Sequence, residues 1–383
     1  MKIVCAPDSF KGSVTAAEAA AAMAAGVRET IPAAEVVELP FADGGEGTLE
    51  ALLAAWGRTP ETVDTVDALG RPVQARYGLS PDGRTAVIEA AEANGLPQVS
   101  DVPLQPLRAD TYGVGIIARH VLEAGAEEIL LCIGGSATTD AGTGMLCALG
   151  AEFHDHDGAP APPGGAGLGE ITQVDLSGVD PRAHSIRWRI AVDVENPLTG
   201  DNGAAAVFGP QKGAHEQDIA ELDRGLTQLA RVMADSAGVP AQHYLETPGF
   251  GAAGGIPLGL VSVFGAEVVP GSAMVSEVLG LQEVLADADL VLTGEGRLDS
   301  QSLGGKVVDA VASRAPASCG VVVLAGAVQL SPAQCREAGI TAAFSVAAGP
   351  AELAELQRGA GQLIHDAAAH ACGLFAFPRP RLD

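Results

Sequence analysis

The sequence predicts an α/β protein with a largely parallel sheet, built as two domains with one inserted into the other. Three observations carry that expectation. Short β-rich runs alternate with Ala-rich helical runs from one end of the chain to the other. The 383 residues, 47% hydrophobic and 18% charged, exceed what one core holds at roughly 150 residues per domain. The alternation also breaks near residue 65, where hairpin signals take over, and returns as clean βαβ pattern near residue 288. The expected domains are therefore 1–65 plus 288–377 and an inserted 66–287, with PRPRLD, 378–383, as a disordered tail. In such an arrangement the cleft between the domains is where a ligand is expected.

The opening unit shows the rhythm. KIVCAP reads as a buried strand, and Thr15 with Glu18 forms a Thr-x-x-Glu capping box for a helix running to about Glu29, stopped by Pro32. Further strands are expected at 35–40, 86–91, 127–133, 186–192, 288–294, 319–326 and 341–347. Between Thr62 and Ala91, turn signals such as PDG separate β-rich pieces, which predicts antiparallel hairpins. The stretch HDHDGAPAPPGGAGLGE, 154–170, reads as a surface loop or hairpin.

Composition excludes several classes of function. Acidic residues outnumber basic ones 48 to 22, a net charge of -26, and a field of that sign repels nucleic acid and anionic lipid. The amino-terminal MKIVCAPDSFKGS is interrupted by Pro, Asp and Lys, so it does not read as a signal peptide, and no apolar run reaches the length of a spanning helix. A cytoplasmic protein with neither a nucleic-acid nor a membrane partner is expected. Cys5, Cys132, Cys147, Cys319, Cys335 and Cys372 form neither a CxxC pair nor a dense framework, and are expected as reduced core thiols. His154 and His156 lack a third metal ligand at usual spacing, and no GxSxG marks a serine hydrolase.

In doubly wound sheets ligands bind beyond the carboxyl ends of strands, so the loops there hold the candidates. Asp8, Ser9 and Lys11 follow the first strand, and Asp43, Gly44 and Gly45 follow the second. Gly134, Gly135, Ser136, Thr138, Thr139 and Asp140 lie in GGSATTDAGTGM, and Asp193, Glu195 and Asn196 in DVENPLTG. Glu295, Arg297, Asp299 and Lys306 lie in TGEGRLDSQSLGGK. Gly-rich strand-to-helix loops present backbone N–H groups and a helix amino terminus to anions. Neither standard nucleotide fingerprint is present: Val307 follows GGK where a P-loop needs Ser or Thr, and no GxGxxG opens the first unit.

Lysine is scarce, four residues against 18 Arg, yet Lys11, Lys212 and Lys306 all fall in Gly/Ser-rich loops. A compact ammonium suits phosphate. The loop carboxylates supply the other half of phosphoryl-transfer chemistry, oxygen ligands for a divalent cation and a base for the attacking hydroxyl. Capping and turn formation are the competing roles for each, most of all for Asp140 ahead of a helical run. Asp193 ends an apolar strand and is the expected general base or metal-orienting group, with Asp43 and Asp299 the alternatives; Lys306 is expected on phosphate, with Lys11 second.

Taken in order and spacing, APDSFKGS, PFADGGEGT, GGSATTDAGTGM, DVENPLTGDNGAAAVFGPQKGA, GAAGGIPLGL and LTGEGRLDSQSLGGK resemble the type 1 glycerate kinase family, from Met1 to about Phe375. The resemblance implies two α/β domains, one flavodoxin-like and discontinuous, the other inserted into it. It implies transfer of the γ-phosphoryl group of ATP to D-glycerate with Mg²⁺, giving 2-phosphoglycerate. Under that reading Asp193, Lys306, Asp43 and Lys11 are the catalytic candidates. Asp8, Ser9, Gly44, Gly45, Gly134, Gly135, Ser136, Thr138, Thr139, Asn196, Lys212 and Arg297 are the binding candidates, and Asp193, Glu295 and Asp299 the candidate metal ligands. A kinase for another small hydroxy acid and a non-catalytic anion-binding protein are the alternatives, and a homo-oligomer is left open.

Overall fold

The computed structural model describes residues 1–376, so the expected tail at 378–383 lies outside the described residues. In chain order the strands are β1 (Lys2–Cys5), β2 (Glu35–Glu38), β3 (Glu61–Val66), β4 (Pro72–Leu79), β5 (Thr85–Glu89), β6 (Glu128–Cys132), β7 (Glu152–His154), β8 (Gln173–Asp175), β9 (Arg187–Ala191), β10 (Glu267–Val269), β11 (Leu290–Leu298), β12 (Gly320–Val328) and β13 (Ala342–Ser345). The chain divides into two compact units. The first comprises Met1–Asp43, Glu50–Gly57 and the chain from Pro270 onward; the second comprises Gly44–Leu49 and Arg58–Val269. These edges differ from those expected at 65/66 and 287/288. Strand β3 goes with the second unit because it pairs with β4 along its whole length. Helices Gly271–Val278 and Leu281–Leu285 go with the first.

The first unit holds a five-stranded, wholly parallel sheet in the order β13-β12-β11-β1-β2. Numbered within the unit this is 2-1-3-4-5, the flavodoxin-like order, whose switch point falls between β1 and β11. Alternation along β12 shows both faces covered. Val322 and Leu324 pack with Ile3, Met23 and Ile364 under helices Ala16–Thr30 and Ala360–Phe375. Val321, Val323 and Ala325 pack with Val308, Cys335 and Ile340 on the other side. The expected capping box is present: Thr15 accepts from the Glu18 amide at 3.2 Å and Glu18 accepts from the Thr15 amide at 2.8 Å.

The second unit holds a six-stranded mixed sheet, β10-β9-β6-β5-β4-β3, in which β5, β6, β9 and β10 run parallel and β4 runs antiparallel to both of its neighbours, β5 and β3. Its core is anchored by Trp188, stacked on Phe264 at 5.2 Å, with the indole N–H donating to the Ala183 carbonyl at 2.8 Å. The 22-residue helix Glu216–Ala237 buries Leu222, Leu226, Leu229 and Met233 at helical spacing. The stretch 154–170 is not simply a surface loop. It connects the β7–β8 hairpin and buries Gly165 and Leu168 against that helix, since apolar side chains of its inward face need a cover. Of the six cysteines, all free, five are buried; Cys147 is exposed because helix Thr143–Ala148 turns Met145, Leu146 and Ala148 inward instead. No helix among the described residues is long and apolar enough to cross a membrane.

Gly26 sets how closely the two helices of the first unit approach. A Cβ there would lie 2.3 Å from the His365 carbonyl oxygen. Alanine gains roughly 1 kcal/mol of helix propensity over glycine, but overlap with rigid backbone costs about 1–3 kcal/mol. Gly26→Ala is therefore expected to lower stability in urea unfolding; an unchanged or raised midpoint would show that the helices separate at no cost.

Candidate active site

The parallel strands β6 and β9 are neighbours, so the loops that follow them emerge side by side at the carboxyl edge of the second unit's sheet. Between them lies a cavity of about 210 Å³, whose lining includes Gly44, Gly45, Gly134, Gly135, Ser136, Asp193 and Lys212. Seven of the residues expected from sequence thus share one small chamber. Asp193 follows the last residues of β9 and is exposed there.

Lys212 is the unusual member, only 3% exposed. Its Nζ donates to the Thr138 carbonyl at 2.5 Å and to Ser136 Oγ at 3.3 Å. An ammonium has three N–H donors, so this leaves one for an anion in the chamber. Burial pulls the lysine pKa down to about 8, against the opposing pull of Asp140.

Asp140 does not reach the chamber. Its carboxylate, fully buried, accepts from the Thr111 amide at 2.9 Å, Thr111 Oγ1 at 2.8 Å, the Gly142 amide at 3.2 Å and the Gly144 amide at 3.1 Å. Burial raises its pKa while these hydrogen bonds pull the other way. The turn-forming role anticipated for it is its role, extended into a brace for the whole 134–144 loop. Thr138 and Thr139, expected on substrate, lie behind the chamber wall. Thr138 Oγ1 accepts from Asn94 at 3.1 Å and its carbonyl holds Lys212, and both threonines are buried. Asn196 is likewise a turn residue, donating to the Asn202 carbonyl at 2.8 Å and accepting the Gly249 and Gly251 amides at its own carbonyl. Glu195 is exposed and lines no part of the chamber.

Two residues that sequence reading passed over support the chamber. Glu89, at the carboxyl end of β5, accepts from the Leu49 amide at 2.8 Å and so holds the segment that carries Gly44 and Gly45. A carboxylate closing an apolar strand was the available signal, the same one that singled out Asp193. Asn94 had no such signal, because its helix, Ala91–Asn94, is a single turn.

The first unit gathers charge at its own switch point. The Asp8 amide donates to the Gly294 carbonyl at 2.8 Å, which places Asp8 beside β11, and its carboxylate accepts from the Ser9 amide at 2.6 Å. Burial, then the neighbouring Asp43, pushes the Asp8 pKa up to about 7, with Glu295 adding to the rise. Glu295 sits on β11 and is also raised by burial, and Lys306 draws it back. Its Oε1 is buried without a hydrogen-bond partner among the described residues. Lys306 occupies the cap position of helix Val307–Arg314. Lys11 and Arg297 line a separate cavity in the same unit. Asp299 caps the short helix Ser300–Leu303, its carboxylate accepting from the Gln301 amide at 2.9 Å. The expected metal set of Asp193, Glu295 and Asp299 is divided between the units, and among the described residues no group of three His, Cys, Asp or Glu is placed to hold an ion.

Comparison with known proteins sets this arrangement in a family. The profile described as the glycerate kinase family matches residues 3–376. Glycerate 2-kinase of Escherichia coli K12 is 44% identical over 361 residues, covering 94% of each chain. Glycerate kinase of Halalkalibacterium halodurans is 41% identical over 367 residues, covering 96% of each. A crystal structure from Salmonella typhimurium LT2, assigned as a glycerate kinase 2, superposes with a TM-score of 0.89 at 42% identity over 98% of both chains. The chain belongs to the glycerate kinase family.

Proposed function

We propose that the protein transfers the γ-phosphoryl group of ATP to the 2-hydroxyl of D-glycerate in the cytoplasm, with Mg²⁺ as the required cation. The observation that supports this reading is the chamber in which a buried ammonium, Gly-rich backbone and a strand-end carboxylate converge. Lys212 pairs with the glycerate carboxylate, and the Gly134–Ser136 turn borders the bound acid. Asp193 accepts the hydroxyl proton as the oxygen bonds to phosphorus, while the bond from phosphorus to the leaving oxygen of ADP breaks. On the first unit Lys306, at a helix amino terminus, neutralises phosphate charge.

One carboxylate of the first unit, that of Glu295, suits a divalent cation brought in with the triphosphate. Burial, with the charge of Asp43 adding to it, disfavours the ionised forms of Asp8 and Glu295, and Glu295 has a buried oxygen with no hydrogen-bond partner among the described residues, which is the condition a hard cation relieves. Bound there, Mg²⁺ would neutralise charge on the triphosphate. In a protein of net charge -26 such local cations decide whether ATP is held at all.

Phosphorus NMR tests the reaction directly. ATP, Mg²⁺ and D-glycerate should yield ADP and 2-phosphoglycerate, and excess EDTA should abolish turnover. A product phosphorylated at the 3-position would correct the regiochemistry, and preference for tartronate or glycolate would move the substrate to another hydroxy acid.

Asp193→Asn keeps the shape of the side chain and removes the base. Because base catalysis contributes roughly 100- to 10,000-fold, kcat should fall by that order with little change in thermal midpoint. A loss confined to KM for glycerate would make Asp193 a positioning group and move the base to Asp43.

A further inference from the structure

The cavity of the first unit that contains Lys11 and Arg297 occupies about 310 Å³ at the carboxyl ends of β11, β12 and β13. Its floor stays bare for a steric reason. A Cβ on Gly326 would fall 2.5 Å from the Gly296 carbonyl oxygen, so the adjoining strand ends carry little more than the methyl of Ala327. The wall is apolar and belongs to helices Leu353–Arg358 and Ala360–Phe375. Leu353 on that wall is 69% exposed, with Leu356 and Leu363 deeper. Between them projects Gln357, whose side-chain amide makes no hydrogen bond among the described residues; its backbone carbonyl accepts from Ser13 Oγ at 3.0 Å.

The surroundings are electrically divided. Lys11 and Arg297 supply positive charge within the cavity, and the same unit carries the Asp8, Asp43 and Glu295 group. A ligand matching all of this has a flat apolar end with a polar edge, a polyanionic end and an accompanying cation. A purine nucleoside triphosphate has those parts. Glutamine offers one donor and one acceptor side by side, the pattern that pairs with the adenine edge. The second unit's chamber is smaller, about 210 Å³, and is organised around one ammonium and one carboxylate, which suits a three-carbon hydroxy acid.

We infer that the first unit's cavity takes the nucleoside end of the phosphoryl donor, with the purine against Leu353 and Leu356, its edge facing Gln357, and the phosphates toward Lys11 and Arg297. This inference rests on the kinase reading above and assigns the nucleotide to the first unit and the acid to the second.

Isothermal titration of the full chain with the magnesium complex of AMP-PNP tests it. Ala327 is exposed, so Ala327→Trp fills the floor without entering the core. It should weaken AMP-PNP binding by about tenfold or more and raise KM for ATP, with KM for glycerate within about twofold of wild type. Gln357→Ala, which removes no internal hydrogen bond, should weaken AMP-PNP by about fivefold. Lys212→Met, in the second unit, should leave AMP-PNP affinity unchanged. If both first-unit variants melt as wild type and bind AMP-PNP normally, or if Lys212→Met alone abolishes binding, the assignment is wrong. Normal AMP-PNP binding that is lost in Ala327→Trp, with no phosphorylation of glycerate by wild type, would remove the acceptor and leave the pocket assignment standing.

Discussion

The rest of the site depends on one buried ammonium. A protein of net charge -26 that handles anions must concentrate positive charge locally, and Lys212 does so at the least hospitable place for a charge, almost wholly removed from water. Desolvating an ion costs several kcal/mol, which only close, well-aligned acceptors offset. The Thr138 carbonyl and Ser136 hydroxyl are those acceptors, and both belong to the loop that walls the chamber. Holding the lysine and shaping the wall are one structural task. Asp140 completes it from behind, since four hydrogen bonds to its carboxylate fix the loop's later half. Long-range attraction to Lys212 adds to this, and no contact between the two is needed.

The first unit solves a different problem with the opposite sign. Its flavodoxin-like strand order sets β1 beside β11, so that Asp8, just beyond β1, lies against the stretch of β11 that carries Glu295. Burial, with the charge of Asp43 adding to it, raises the affinity of Asp8 and Glu295 for protons. A hydrogen bond from Ser302 and the charge of Lys306 draw Glu295 back toward its ionised form. A bare strand-end floor and leucine wall lie in the same unit, so charge and apolar surface are both available to a nucleotide there.

Much of this was legible in the sequence because strand ends announce themselves. The run IRWRIAV predicts a strand, and Asp193 after it is exposed at the carboxyl end as expected. The capping box at Thr15 and Glu18 predicts a helix start to the residue. The pattern along a chain does not show which side of a loop faces a cavity. Thr138 and Thr139 were as good candidates as Ser136 by sequence, yet only Ser136 lines the chamber. Burial of Lys212 was invisible for the same reason, being produced by residues some seventy positions away in the chain. Polar Pro/Gly composition also concealed Leu168 beneath the helix Glu216–Ala237, because one apolar residue in a loop carries no periodicity.

Binding of the acid depends on the charge of Lys212. The pKa of about 8 means that the ammonium loses its proton as pH rises through that value, while the glycerate carboxylate stays ionised throughout. KM for D-glycerate should therefore be level below about pH 8 and climb above it, approaching tenfold per pH unit. A folded Lys212→Arg variant, whose guanidinium keeps its charge, should show no such climb. A wild-type KM that stays level from pH 7 to about 9.5 would contradict the central role given to the buried ammonium.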